Sequence, residues 1–291
     1  MRNRPIPRLL TSALATLATA SFAAAVFAAD PPPAPLVQNG GAEDGSLANW
    51  SGFDAVVADN PHTGNHCFIR KGNSTVRSNA MIPVAPGKVY TLSGWFRSAG
   101  QEDSKIYFGY APYDEKKRPI GPANVNPLAG TDTTLAQPCA KGDTVLKIKD
   151  GAKWSVLPHG CVAFDTDPSG EYKDLPNFNL SSFGIVKVEK KDDCWEVTLK
   201  TECGQDRPAG APVRMHMSGG TYIYNAAGNA TVPKDWKQFT GVIKGTAVAG
   251  APSGQWWPGT RYVQILVLAN FGQKDTAVLM ADDITLTEAD K

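Results

Sequence analysis

The sequence predicts an all-β chain built as a β-sandwich, and three observations carry that reading. The chain holds 28 Gly and 22 Pro, with aromatics scattered among Val and Thr, the composition of many short strands joined by turns. No stretch reads as a helix of more than a turn or two. Two segments at opposite ends, residues 36–50 (LVQNGGAEDGSLANW) and 280–287 (MADDITLT), read as the opening and closing strands of one sandwich.

At the N-terminus, Arg2, Arg4 and Arg8 precede an apolar, alanine-rich run that ends at Ala28 and Ala29 before a proline cluster. This pattern predicts a secretory signal peptide over 1–29 and a Pro-rich leader over 30–35, with an uncleaved anchor as the alternative. No later stretch is long and apolar enough to cross a bilayer, so the expectation is a secreted or periplasmic protein without a membrane span. Net charge is +1, from 29 basic and 28 acidic residues with no block of like charge, which gives no sign of nucleic acid or an anionic membrane as partner.

In chain order, residues 55–59, 66–71 and 75–82 read as short strands, the first two joined by the turn NPHTGN. Residues 89–97 (VYTLSGWFR) carry apolar groups on both faces and are expected well inside the sandwich, with Trp95 in the core. Residues 105–110 (KIYFGY) form the next strand. From 121 to 219 the character changes to a small inserted β module, with strands expected at 143–149, 160–165, 185–189, 195–200 and 213–216. The sandwich occupies 36–120 and 220–291 and resumes with strands at 220–226, 236–243, 262–269 and 278–286. Residues 262–269 (YVQILVLA) are the most apolar of the mature chain and should be central.

Five cysteines, Cys67, Cys139, Cys161, Cys194 and Cys203, leave at least one unpaired in an oxidising compartment. Cys194 and Cys203 flank one extended segment and should not pair with each other unless it bends, while pairings such as Cys139 with Cys161 or Cys161 with Cys194 stay open. Near the start of the mature chain, Asn39, Gly40 and Gly41 can turn carbonyls inward beside Glu43 and Asp44, and Asp282 and Asp283 lie at the far end. These hard oxygens suit calcium; the alternative is a glycine turn with a solvated acidic pair.

The succession NGGAEDG with LANW, HTGNH, VAPGKVYTLSGWFRS, RYVQILVLAN and ADDITLTE resembles the CenC-type carbohydrate-binding modules, over roughly residues 36–118 and 222–288. The resemblance implies a galactose-binding-like jelly roll, here interrupted by the inserted β domain. It also implies a structural calcium ion, with Glu43 and one of Asp282 or Asp283 as side-chain ligands and carbonyls near Gly40 and Gly64 completing the shell. Ala42 departs from the pattern, standing where the family usually has an aromatic.

Sugar binding needs flat apolar faces and a few polar groups that fix hydroxyls. Trp256 and Trp257, in the turn-rich loop SGQWWPGT, are the leading platform, with Tyr107, Tyr110 and Tyr113 extending it and Asp114, Arg118, Asn270 and Gln264 as polar partners. The competing reading makes any such Trp core or strand-edge packing, the structural role expected for Trp50, Trp95 and Trp236. Glycoside hydrolysis would need two carboxylates across a cleft. The candidates, Asp114 with Glu115, Asp165 with Asp167, and Glu171 with Asp174, are loop neighbours better explained as turns. A polysaccharide lyase would need a His, Tyr and Arg set, for which His216, Arg214 and Tyr222 are the candidates. The expected function is noncatalytic polysaccharide binding, with an extracellular or envelope protein-interaction role second and a glycan-active hydrolase or lyase third.

Overall fold

The computed structural model describes Met1 and residues 35–289. Apart from Met1 and Pro35, the predicted signal peptide and leader lie outside the described residues. The first strands are β1 (Trp50–Ser51), β2 (Ala55–Val57), β3 (Cys67–Lys71), β4 (Ser74–Ser78), β5 (Ile82–Pro83), β6 (Val89–Ser98) and β7 (Ser104–Tyr113). One helical turn, α1 (Pro122–Val125), leads to β8 (Thr133–Thr134), β9 (Val145–Ile148), β10 (Gly160–Phe164), β11 (Ile185–Lys190), β12 (Trp195–Leu199) and β13 (Pro212–Met217). The chain closes with β14 (Ile223–Val232), β15 (Lys237–Lys244), β16 (Tyr262–Ala269) and β17 (Val278–Ala289).

The sandwich has a six-stranded sheet in the order β1-β4-β16-β7-β14, with β5 also on β16, and a five-stranded sheet in the order β15-β6-β17-β3-β2. Every pairing between these strands is antiparallel. The apolar run of β16 is central, held between β4 and β7, as its composition predicts. Phe68, Val76, Leu92, Phe96, Ile106, Phe108, Ile265 and Val267 meet between the sheets with no exposed surface.

Two expectations change here. Residues 36–49 are turns rather than an opening strand, and they close on β17 through one backbone bond, Ile284 N–H to Gly40 O at 2.9 Å. Gly40 is needed at that contact, because a Cβ there would lie 1.9 Å from Ile284 O. Trp95 is not in the core. Along β6, Tyr90, Leu92 and Phe96 point inward while Trp95 has the opposite parity, and it lies half-buried beneath His62, whose ring stacks on it at 3.7 Å.

The strands of residues 121–219 pair with one another, in two three-stranded sheets ordered β10-β13-β8 and β11-β12-β9. Leu135, Leu146, Ile148, Val162, Ile185, Val197, Val213 and Met215 form a second core there. Cys139 and Cys203 border that core on two backbone segments joined at both ends: Cys139 exchanges both backbone bonds with Arg207, and Cys203 N–H bonds to Asp143 O at 2.7 Å.

Candidate functional site

The outer face of the six-stranded sheet gathers an unbroken row of rings. On β7, Ile106, Phe108 and Tyr110 face the core, so Lys105, Tyr107, Gly109, Ala111 and Tyr113 face out. On β16, Val263, Ile265 and Val267 face in, and Tyr262, Gln264, Leu266 and Leu268 face out. The ladder sets Leu268 opposite Tyr107, Leu266 opposite Gly109, and Tyr262 opposite Tyr113.

A bulge in β14 completes the row. Ile223 pairs with Tyr110 and Ala227 with Phe108, so β14 advances four residues while β7 advances two. Gly109 makes room for this crossing, since a Cβ there would sit 1.7 Å from Ile223 O. The bulge brings Tyr224 beside Tyr107, with centroids 4.6 Å apart. The Tyr222 centroid lies 6.3 Å beyond that of Tyr224, and Phe271 makes an edge-type contact with Tyr107 on the other side, centroids 5.1 Å apart. Phe271 is 43% exposed and the tyrosines are half-buried, so the rings are held by their neighbours yet reachable from solvent. Burial first, then the neighbouring hydroxyls of Tyr222 and Tyr107, raises the Tyr224 phenol above its ordinary value and keeps it a neutral hydrogen-bonding group.

Arg77 reaches into this row from β4. Its Nη2 donates to the Tyr222 hydroxyl at 2.7 Å and its guanidinium lies 5.2 Å from the Tyr222 centroid. Leu266, on the outer face opposite Arg77, has no exposed surface. At the other end, the Tyr113 hydroxyl donates to Gln264 Oε1 at 2.6 Å, Gln264 Nε2 donates to Ser78 O at 3.1 Å, and Lys117 Nζ stands 5.5 Å over Tyr262.

Several sequence-predicted residues lie elsewhere. Trp256 and Trp257 are not a surface platform: they are 0% and 2% exposed. Their loop runs alongside the end of β15, with Trp256 N–H bonded to Gly245 O and Ala247 N–H to Trp256 O, both at 2.9 Å, and so turns inward. Trp256 packs against Tyr90 and Tyr110 at 5.3 and 5.2 Å, which also places Tyr110 in the core. Asn270 is fully buried and its amide caps the Gly72 and Ala277 carbonyls. Asp114 is buried too, its carboxylate holding the Lys116 and Arg118 N–H groups of its own turn. Arg118 pairs with it and covers Phe178 at 3.8 Å, beside the insert. Tyr107, Tyr113 and Gln264 share the outer face of the six-stranded sheet, Tyr113 with only 9% of its surface exposed, and Arg77, Tyr222, Tyr224 and Phe271, which the sequence does not mark as a group, lie on the same face. The spacing of Tyr107 and Tyr113 already places them on one face and Tyr110 on the other, a parity that would have sorted the three.

The calcium candidates meet at the junction of the N-terminal turns with β17. Gly41 lies in a cradle, where a Cβ would be 3.3 Å from Asp283 Oδ1, 3.5 Å from Asp282 Oδ1 and 4.0 Å from Glu43 Cγ. Burial, then the charge of Asp283, pushes Asp282 up to about 6. Its carboxylate accepts the His62 N–H at 2.8 Å, and Asp283 meets His62 Nδ1 at 2.7 Å. The Glu43 carboxylate is taken up by backbone groups of the following turn. It accepts the Asn65 and His66 N–H groups beside Gly64, where only a glycine fits against it. Among the described residues no three His, Cys, Asp or Glu side chains converge as a ligand set. The hard oxygens that meet beside Gly41 are those of Asp282 and Asp283, two carboxylates of the kind calcium takes among its ligands.

The lyase-type set does not assemble. Arg214 and His216 are fully buried in the insert, and Tyr222 bonds to Arg77 instead. Arg214 donates to His216 Nε2 at 3.1 Å and to Asp174 at 2.9 Å, while His216 Nδ1 lies 2.7 Å from Ala123 O. Those two partners hold His216 as the neutral Nδ1–H tautomer, and burial lowers its pKa to about 4. The unfolded chain binds a proton here below about 6.5 while the folded chain does not. This contribution to stability is therefore complete above about pH 6.5 and is lost as pH falls toward 4, amounting to about 3 kcal/mol. The check is unfolding free energy against pH for the protein and His216→Gln, whose difference should flatten above pH 6.5. Asp282 slopes the opposite way between its unfolded and folded values, so the comparison with the variant isolates His216.

None of the protein-family models matches this chain, and no curated protein does. Among solved structures it is similar to the CBM22-1 xylan-binding domain of Paenibacillus barcinonensis Xyn10C, at 9% identity and TM-score 0.38, covering 86% of this chain and 92% of that one. It is also similar to TmCBM61, solved with β-1,4-galactotriose, at 12% identity and TM-score 0.32, covering 88% and 99%. A third similarity is to the enzymatically active domain of tailspike protein 4 of Bacteriophage CBA120, at 10% identity and TM-score 0.35, covering 88% of this chain and 21% of that one.

Proposed function

We propose that this chain is an exported, noncatalytic carbohydrate-binding protein that lays a polysaccharide along the outer face of its six-stranded sheet. The observation that carries the reading is the row Tyr222, Tyr224, Tyr107 and Phe271, four adjacent rings with polar groups at their rim. Such a row offers successive flat faces to the C–H faces of successive sugars, and the tyrosine hydroxyls and Arg77 can bond to ring hydroxyls. The CenC-type resemblance of the sequence points the same way. Calcium is the second part of the proposal: bound by Asp282 and Asp283, it would tie the N-terminal turns to β17 and raise stability by mass action rather than take part in chemistry.

One experiment tests both parts, namely retention of the chain on a panel of polysaccharides, in calcium and in chelator, beside Tyr107→Ala plus Tyr224→Ala. The double variant should lose affinity by roughly 10-fold or more, the scale of a hot-spot aromatic pair, without unfolding. Chelator should lower the melting temperature of both proteins. Undiminished retention by the double variant would sink the face, and an unchanged melting temperature in chelator would sink the ion.

The protein-interaction reading keeps one supporting observation. Val156, Phe183 and Val186 are each about half exposed around the Leu157–Ile185 bridge of the insert. Retention on no glycan by a folded protein would favour it.

A further inference from the structure

Acidic residues are confined to one of the two sheets of the sandwich. The strands of the six-stranded sheet read WS, STVRS, IP, SKIYFGYAPY, IYNAAGNATV and YVQILVLA, and they contain no Asp or Glu. Their charged residues are Arg77 and Lys105, both on the outer face. The five-stranded sheet carries both signs, with Arg70, Lys71, Arg97, Lys237 and Lys244 alongside Asp282, Asp283 and Glu288.

Arg77 is half-buried among rings, and its one side-chain hydrogen bond among the described residues goes to the Tyr222 hydroxyl. Neither it nor Lys105 has an acidic partner among the described residues, whereas Arg70, Arg97, Arg118, Arg207 and Arg214 each do. A guanidinium removed in part from water and left without an anion favours one from the ligand, and its planar fork suits a two-oxygen acid group.

We infer that the polysaccharide held on this face is anionic, with the acid group of one sugar on Arg77 while that sugar or its neighbour stacks on the Tyr222, Tyr224 and Tyr107 rings. The inference rests on the glycan-binding reading above and narrows it to a substrate class. The acid group is a uronate carboxylate or a sulfate ester, which share the bidentate geometry. Lys105, two residues before Tyr107 on the same side of β7, extends the positive edge along the row.

The test is affinity of the full mature chain for polygalacturonate, its fully methyl-esterified form, a sulfated glucan and a neutral xylan, at two salt concentrations, beside Arg77→Gln and Arg77→Lys. The methyl ester presents the same ring faces with the charge removed. The expected result is that polygalacturonate or the sulfated glucan binds at least about 10-fold tighter than the uncharged polymers, by a salt-sensitive margin. Arg77→Gln should erase that ratio and Arg77→Lys keep part of it. Preference for polygalacturonate alone identifies a uronate, and preference for the sulfated glucan alone identifies a sulfate ester. Equal binding of charged and uncharged polymers, or a preference that survives Arg77→Gln, overturns the inference and leaves the aromatic face standing. Binding of no polymer by a folded chain overturns the glycan-binding reading itself.

Discussion

Trp256→Ala is expected to destabilise the protein by about 3–5 kcal/mol, the range for truncating a fully buried large aromatic. The indole has no exposed surface and sits edge-on between Tyr90 of β6 and Tyr110 of β7, one strand from each sheet of the sandwich. Removing it empties volume that strands in both sheets enclose, which backbone relaxation fills only in part. Urea unfolding followed by intrinsic fluorescence measures the loss, and the midpoint should fall. Tyr107→Ala, on the opposite face of β7, is the companion: it should cost far less stability and more affinity. The sequence alone predicts the reverse, since a Trp-Trp pair in a Gly- and Pro-rich loop reads as exposed. A Trp256→Ala protein as stable as its parent, yet unable to bind glycan, would put Trp256 on the binding face instead.

Refolding in oxidised glutathione is expected to join Cys139 to Cys203. Both thiols are buried at the edge of the insert core, on segments tied by the Cys139–Arg207 and Cys203–Asp143 backbone bonds. Burial, then the hydrogen bond and charge of neighbouring Cys203, pushes the Cys139 thiol up to about 12, so little thiolate forms in the folded state. The bond should therefore form during folding rather than after it. The two thiols give two electrons and two protons to one glutathione disulfide, which leaves as two glutathione thiols, and the protein loses about 2 Da. Closing a loop of about 65 residues limits the unfolded chain by roughly 4 kcal/mol on the chain-entropy account. Mass mapping after alkylation should show the 139–203 link with Cys67, Cys161 and Cys194 alkylated, and reductant should lower the melting temperature. Five alkylated thiols after oxidative refolding, or a link to Cys161, would refute the pairing.

Strand positions were readable in advance because they rest on local pattern. The alternation in residues 89–97 and the apolar run 262–269 mark β6 and β16 to within a residue of their ends, and the five strands expected in the insert all form. The missed elements were short or bent. β8 has two residues, too few for any period, and the stretch expected as one strand at 75–82 is β4 and β5 divided by a turn. Residues 36–49 carry turn chemistry that predicts their loops, but their docking on Ile284 is a contact across the whole chain.

The candidate site was less readable, because a ligand face depends on which residues become neighbours. Tyr107 and Tyr224 lie in segments separated by the entire insert, and they meet only where the β14 bulge crosses Gly109. Arg77 and Tyr222 meet across the sheet from β4 and the approach to β14, which have β16 and β7 between them. Local alternation thus sufficed for the all-β class and for most strand positions, and it holds the inward and outward parity as well, since side-chain period is a property of a single extended segment. Whether Trp256 is buried, which thiols adjoin and which rings form one row were settled by long-range packing, because burial and adjacency belong to pairs of segments rather than to either one alone.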